Sequence, residues 1–283
     1  MKLLTITRVV VATSLTLLLA APLSVEARSH HSSVAGDPGG HTKRGVAAAR
    51  DKDYNKALSE FSKAIEEQPK DAKNYMNRGL VYKLTGKLKE AGADFSKAIE
   101  LQPKDAAAYS ERGQIYLRDK QEPKAIADFD EAIKLEPKDM TARRFRAYAF
   151  MQKNAWDKAI ADYSEVIKAK PDDAQALERR GYAYRNLKNY DAAVADFTAL
   201  IEKSPKDPEA YRRRAYVYTL TKQDDKAMTD LQTLLKLKPN DADAQRRLKL
   251  LQGRSKAAPT PAAKRTPLMR PAPMASPRPA TTR

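Results

Sequence analysis

Six prolines recur at one interval along this chain: Pro69, Pro103, Pro137, Pro171, Pro205 and Pro239 are each 34 residues apart. Nothing else in the sequence restricts the fold as strongly, because self-similarity at that period marks a short supersecondary unit copied in series. A proline has no N–H to donate and disfavours helical geometry in the residue before it, so each one marks the stop of a helix. Asp71, Asp105, Asp139, Asp173, Asp207 and Asp241 follow two residues later, where a side-chain oxygen can cap the next helix. Stop and restart are written together.

Aligned on these prolines, the chain divides into units beginning at Pro38, Ala72, Ala106, Met140, Ala174 and Pro208, and the nth residue of a unit is its column n. Column eight is small: Gly45, Gly79, Gly113, Ala147, Gly181, Ala215. Column eleven reads Ala48, Tyr82, Tyr116, Phe150, Tyr184, Tyr218, and column twenty is Ala57, Ala91, Ala125, Ala159, Ala193, Ala227. Four residues after those alanines come Phe61, Phe95, Phe129, Tyr163, Phe197 and Leu231. Columns four, seven, eight and eleven are spaced i, i+3, i+4 and i+7, which is one stripe of an α-helix. The small residue lets a second helix approach, and the column-eleven aromatic is expected to fill the seam. Truncating one, as in Tyr116→Ala, is expected on this reading to cost about 3 to 5 kcal/mol.

A small residue and an aromatic on one helix, then Ala and Phe on the next, then Pro, is the pattern that the tetratricopeptide repeat shows, and residues 38–241 resemble that family. The resemblance implies an all-α fold, a right-handed α-solenoid of antiparallel helix pairs with six repeats. It departs from the family's usual Trp at column four, where Tyr75, Tyr109 and Tyr211 alternate with His41, Arg143 and Leu177. Pro38, Gly39 and Gly40 weaken the opening helix of the first unit. Residues 242–252 are expected to form a capping helix, with Gln245, Arg246, Arg247 and Lys249 wet and Leu248, Leu250 and Leu251 lying on the sixth unit, because a stack of repeats needs a polar end. The folded domain is therefore 38–252.

Both flanks read differently. Residues 1–27 resemble a secretory signal: Lys2 and Arg8 open it, residues 9–23 form an apolar run broken only by Thr13, Ser14, Thr16 and Pro22, and Val25 and Ala27 place small residues before a cleavage site at Arg28. The expectation is an exported protein, periplasmic or secreted, with a retained anchor as the competing reading. Residues 28–37, with His30 and His31, are expected to be a flexible leader. The formal charge of +17, from 53 basic against 36 acidic residues, is unevenly spread. From 253 to 283 every charge is positive in a Pro/Ala-rich stretch without apolar periodicity, which reads as a disordered basic tail. The chain has no cysteine, which removes disulfides, thiolate nucleophiles and Cys-type zinc sites.

Arginine fills column seven of every unit (Arg44, Arg78, Arg112, Arg146, Arg180, Arg214), and an acid fills column twenty-three (Glu60, Asp94, Asp128, Asp162, Asp196, Asp230). A row of guanidiniums could hold phosphates. Column seven lies on the packing stripe, however, and a buried charge must be paired, so these rows are expected to form one ion pair per unit. Tyr54, Trp156 and Tyr190 share column seventeen and are expected to be core. No nucleophile, phosphate loop or metal spacing recurs, and the histidines lie in or beside the leader, so no catalytic residue, metal or cofactor is assigned and the chain is not expected to be an enzyme.

The face opposite the packing stripe carries columns two, five, six, nine, twelve and thirteen. In the family that this chain resembles it lines a concave groove that binds peptides. Here it is aliphatic early, at Met76, Leu80 and Leu84, mixed in the third unit at Ser110, Glu111, Gln114 and Arg118, and cationic and aromatic later. The candidate partner-binding residues are Arg144, Phe145, Tyr148, Arg179, Tyr182, Arg185, Asn186, Arg212, Arg213 and Tyr216. Tyr and Arg are enriched at interface hot spots, although padding between repeats would use the same residue types. The carboxylate clamp of chaperone-binding relatives is not matched, since Thr42 or Arg144 stands for its first Lys and Val46 or Tyr148 for its first Asn. The function that follows is a scaffold or adaptor taking an acidic or aromatic segment of another protein. The alternative is an anionic envelope polymer or membrane surface held by the groove and basic tail, with nucleic acid disfavoured by export.

Overall fold

In a computed structural model, which describes residues 40–257, every repeat unit is a pair of helices. The signal-like segment, the leader with His30 and His31, and the tail beyond residue 257 lie outside the described residues. The elements are α1 (His41–Arg50), α2 (Tyr54–Glu67), α3 (Ala72–Leu84), α4 (Leu88–Leu101), α5 (Ala106–Arg118), α6 (Glu122–Leu135) and α7 (Met140–Gln152). They continue with α8 (Trp156–Ala169), α9 (Ala174–Asn186), α10 (Tyr190–Lys203), α11 (Pro208–Leu220), α12 (Asp224–Leu237) and α13 (Ala242–Ala257). The chain divides into two units between Lys153 and Asn154. In the first, α1 packs on α2, α3 on α4 and α5 on α6, and each pair leans on the next through α2–α3, α4–α5 and α6–α7. In the second, α8 packs on α9, α9 on α10, α10 on α11, α11 on α12 and α12 on α13.

The prolines and aspartates act as the spacing predicts. Each of the six aspartates accepts a bond from a backbone N–H two or three residues on, at 2.9–3.0 Å, as at Asp139 from Thr141 and Asp207 from Glu209. Several column-four side chains bond the proline before their helix. The Tyr75 and Tyr211 hydroxyls donate to the carbonyls of Pro69 and Pro205 at 3.1 and 3.2 Å, and Arg143 Nη2 donates to Pro137 O at 3.2 Å. Gln245 Nε2 does the same to Pro239 O at 2.9 Å. A long column-four side chain with a donor at its end can thus satisfy a proline carbonyl that no intrahelical N–H reaches, whereas Leu177, at the same column, has no donor and is buried at 3%.

Each first helix ends through column fifteen in the left-handed region: Lys52 (φ 60), Gly86 (φ 77), Lys120 (φ 56), Asn154 (φ 56), Lys188 (φ 62) and Lys222 (φ 57). Where the flanking bonds are seen, the next N–H returns to the column-eleven carbonyl, as from Gln121 to Tyr116 at 2.8 Å and from Asn189 to Tyr184 at 2.9 Å. This is a Schellman ending, and its left-handed position is one that glycine or asparagine occupies at least cost. Four lysines hold it here, which the proline register does not reveal.

Core packing follows the small and aromatic columns. Ala57, Ala91, Ala125, Ala193 and Ala227 are fully buried, as are Phe61, Phe95, Phe129, Phe197 and Leu231 to within 2%. Column eleven is different from the expectation. Tyr82, Tyr116, Tyr184 and Tyr218 are only half-buried, and each ring lies 5.7–5.8 Å from the column-seven guanidinium of its own repeat. They shield an ion pair rather than fill the seam, so truncating Tyr116 removes less buried surface than truncating Phe129.

Two further expectations are corrected at the C-terminal end. Helix α13 continues through Ala257, five residues past the predicted boundary, since Arg254, Lys256 and Ala257 favour helix and the first proline comes only at Pro259. Leu251 is buried at 1% and Leu248 packs beside it, but Leu250 is 58% exposed. Leu250 occupies column nine of this last helix, which faces away from the sixth repeat.

Candidate functional site

Predicted ion pairs form with one geometry. Arg78 Nε and Nη2 donate to Asp94, Arg112 to Asp128, Arg180 to Asp196 and Arg214 to Asp230, all between 2.7 and 2.9 Å. In the first repeat Arg44 Nε donates to Glu60 at 2.8 Å. These fork-to-fork pairs hold the arginines above their usual pKa through the bond to the aspartate, against the opposing effect of burial. Hydrogen bonds from Arg44 and then His41 lower Glu60 from 4.5 to about 2. The third arm of each guanidinium crosses to the preceding repeat. Arg78 reaches Ser62, Arg112 Ser96, Arg180 Ser164 and Arg214 Thr198, at 3.0–3.3 Å, while Arg146 reaches Asp130 at 2.7 Å. The row is a set of staples within and between repeats and offers no ladder to a ligand.

That leaves the opposite face of the first helices. In the first unit it is made by α3, α5 and α7. Lys83 bonds Glu111 and, at 3.1 Å, Gln114, so the early part of the face is neutralised internally. Arg118 is half-buried, and burial lowers its pKa with partial compensation from Glu111. Arg144 and Tyr148 are half-buried on α7. Phe145 departs from its predicted role: it is 9% exposed and stacks on Phe129 with ring centroids 5.9 Å apart and planes at 11°. The ring is taken up by the joint between α6 and α7, because a six-carbon ring at column six reaches the core of the preceding repeat.

In the second unit the face is made by α9, α11 and α13, and it separates the predicted residues into two groups. Arg212 is spent internally. It bonds Glu209 on its own helix at 2.9 Å, Asp241 at 2.6 Å and Asp243 at 3.3 Å, tying α11 to the start of α13. Asp241, which also caps α13, is held well below the usual carboxylate range by Arg212 and then by the Ala244 N–H. Arg213 bonds Glu178 on α9 at 2.8 Å, Arg179 is buried, and Asn186 turns back to the Tyr182 carbonyl at 2.8 Å.

The other group comes together as a stack. The Arg185 guanidinium lies 4.2 Å from the Tyr182 ring centroid and 5.1 Å from that of Tyr216. Trp156, from the start of α8, tilts against Tyr182 at 5.9 Å, and Arg247 from α13 lies 5.6 Å from Tyr216. Trp156 is half-buried, so its expected place in the core is only partly taken up. Arg247 and Leu250 were missed as face residues. The signal was present, since Arg247 and Leu250 are columns six and nine of the unit that would begin at Ala242. Among the described residues no group of His, Cys, Asp and Glu is arranged to hold a metal ion, and no helix is long and apolar enough to cross a membrane.

Comparison with known proteins places this arrangement. A family model described as tetratricopeptide repeat matches residues 111–174, 146–208 and 178–242, and a second, described as TPR repeat, matches residues 81–120. The structure of YrrB, a TPR protein with an unusual peptide-binding site, is similar over 67% of this chain and 97% of its own, at 23% identity and a TM-score of 0.62. A structure of MamA is similar over 57% of this chain and 95% of its own, at 25% identity and a TM-score of 0.55. A tetratricopeptide repeat protein from Parabacteroides merdae covers 78% of this chain with 93% of its own, at 19% identity and a TM-score of 0.59. No curated protein sequence matches the chain. The fold is thus all-α, of the solenoid class built from antiparallel helix pairs.

Proposed function

The chain belongs to the tetratricopeptide-repeat family, and from that premise we propose that it is an exported, non-catalytic scaffold whose first-helix face binds a segment of another protein. Proteins of this fold serve as interaction scaffolds in general; the face, the partner's chemistry and the location are our reading. One observation carries it. Tyr182 and Tyr216 are left half-exposed on α9 and α11 with Arg185 beside them, although every column-seven arginine in that unit is bonded to an acid. Rigid aromatic side chains backed by guanidinium are the anchors that interfaces use most. Export rests on residues 1–27, and intact mass of the protein from its native host tests it: a chain beginning at Arg28 supports export, and a soluble chain that keeps Met1 overturns it.

The experiment for the binding reading is affinity capture by the chain from envelope extracts, then affinity and melting temperature for Tyr148→Ala/Tyr182→Ala/Tyr216→Ala and for a deletion of 258–283. Weakened capture with unchanged melting supports the scaffold. Capture abolished by the deletion alone, with a steep fall in affinity as salt rises, supports the anionic polymer or membrane surface instead, because tail electrostatics are screened over a Debye length.

A further inference from the structure

We infer that the α9–α11–α13 face recognises an internal aspartate or glutamate side chain set between apolar residues, with Arg185 as the anion anchor and the last helix as part of the site. The inference rests on the scaffold reading and narrows it to one kind of partner segment.

Charge accounting on the face singles out Arg185. Arg212, Arg213 and Arg247 each bond a carboxylate, the last to Asp243 at 2.7 Å. Among the described residues Arg185 has no carboxylate within ion-pair distance, and the groups it meets are the Tyr182 and Tyr216 rings. A guanidinium stacked on aromatic faces keeps its N–H edge available, and that edge matches a carboxylate bidentately. The rings also hold it in place before binding, so little rotamer freedom is left to lose when an anion arrives. The ring quadrupoles favour the cation without neutralising its net charge.

Its surroundings say what must flank the anion. On one side Tyr182 is extended by Trp156; on the other Tyr216 is 37% exposed, with Leu220 four residues along α11 at 43% and Leu250 on α13 at 58%. Half-buried aromatic rings on one side of the cation and exposed apolar side chains on the other call for a segment that continues past its carboxylate in both directions. A side-chain carboxylate fits that requirement, whereas a chain terminus would leave one side uncovered. Helix α13 takes part for a local reason. It keeps the buried alanine of column three as Ala244 and the groove columns as Arg247 and Leu250, but it has Leu248 and Lys249 where a repeat needs Arg and a small residue. The array therefore ends there while its binding face runs one helix further.

The probe is an array of acetylated, amidated decapeptides with Leu-Asp-Leu or Tyr-Glu-Leu at the centre, each beside its Asn or Gln counterpart, followed by solution titration against the full chain. The acidic peptides are expected to bind about ten- to a hundredfold more tightly than the amides, since that is what a hydrogen bond to a charged group is worth. Arg185→Gln should remove that preference, Arg185→Lys should restore only part of it, and Leu250→Ser should weaken binding of both sets, all with unchanged melting. Arg213→Gln, whose partner is internal, should leave the preference intact. Equal binding of acid and amide peptides, or a preference indifferent to Arg185→Gln, overturns the inference while leaving the scaffold reading standing. Capture of heparin but of no peptide overturns both.

Discussion

Gly113 and Phe129 approach so closely that a Cβ added to the glycine would lie 2.8 Å from Cε1 of the ring. The same relation holds at Gly45 with Phe61, Gly79 with Phe95 and Gly181 with Phe197, at 2.7–2.8 Å. In the sixth repeat the glycine is Ala215 and the ring is Leu231, both buried in one cluster. The smaller leucine leaves room for that methyl in the sixth repeat, whereas the fourth repeat carries Ala147 and Tyr163 at these columns, both buried. Gly113→Ala is therefore expected to destabilise the chain by about 1 to 2 kcal/mol, because overpacking against a buried ring outweighs the roughly 1 kcal/mol gained in helix propensity. Adding Phe129→Leu should reduce that penalty, so that the double variant melts above the sum of the two single effects. A Gly113→Ala variant more stable than the parent in urea would contradict the packing argument.

Arg112 and Asp128 form a bidentate pair whose carboxylate is 8% exposed and whose guanidinium is 20% exposed. Arg112→Met leaves that carboxylate without its cation and should cost about 3 kcal/mol, at the lower end for a buried pair because the arginine is not fully enclosed. The double variant Arg112→Met/Asp128→Leu should recover part of the loss. Chemical denaturation of the four species measures the coupling, and a coupling near zero would mean that the pair is only a surface contact.

Lysine at the left-handed position of column fifteen invites a gain. Lys120, at φ 56, places a Cβ where glycine would have none, and Lys120→Gly should raise stability by about 1 kcal/mol. Gly86→Ala, at φ 77 with nothing within 4 Å of the added carbon, should lower it, since the backbone angle and not space is the constraint. Thermal melting of both variants against the parent decides this, and a Lys120→Gly chain that melts lower would refute it.

Acid should dissolve the first repeat's link in a defined window. Glu60 is lowered from 4.5 to about 2 in the folded chain, so its contribution is complete above 4.5 and is lost as pH falls towards 2. Glu60→Gln should be less stable than the parent at neutral pH, and the difference should shrink across that interval. Denaturation midpoints of the pair at several pH values test it, with the other carboxylates cancelling in the comparison. A difference that is constant with pH would remove Glu60 from the account.

Burial of rings gives the remaining contrast. Phe129 is fully buried and Phe129→Ala should cost about 3 to 5 kcal/mol, whereas the half-buried Tyr116 should cost less than this when truncated. Equal losses, measured in urea, would restore column eleven to the seam.

The amino-acid sequence alone determined the punctuation and the ion pairing of each repeat. The proline stops, the aspartate caps and the Arg112–Asp128 type of pair, sixteen residues apart, are local in the unit, and a helix hairpin of fixed length converts such spacing directly into contact. The tertiary structure decided which face residues remain available. Phe145 is spent on Phe129, sixteen residues back in another repeat, Arg213 on Glu178 thirty-five residues away, and Arg212 on Asp241 twenty-nine away, while the Arg185 guanidinium meets rings from its own helix and from α11. Leu250 and Lys120 belong with these. Exposure and backbone sign depend on what the neighbouring element brings to a position, and a periodic pattern gives the same letter class to a side chain that is neutralised by its neighbour and to one that is not.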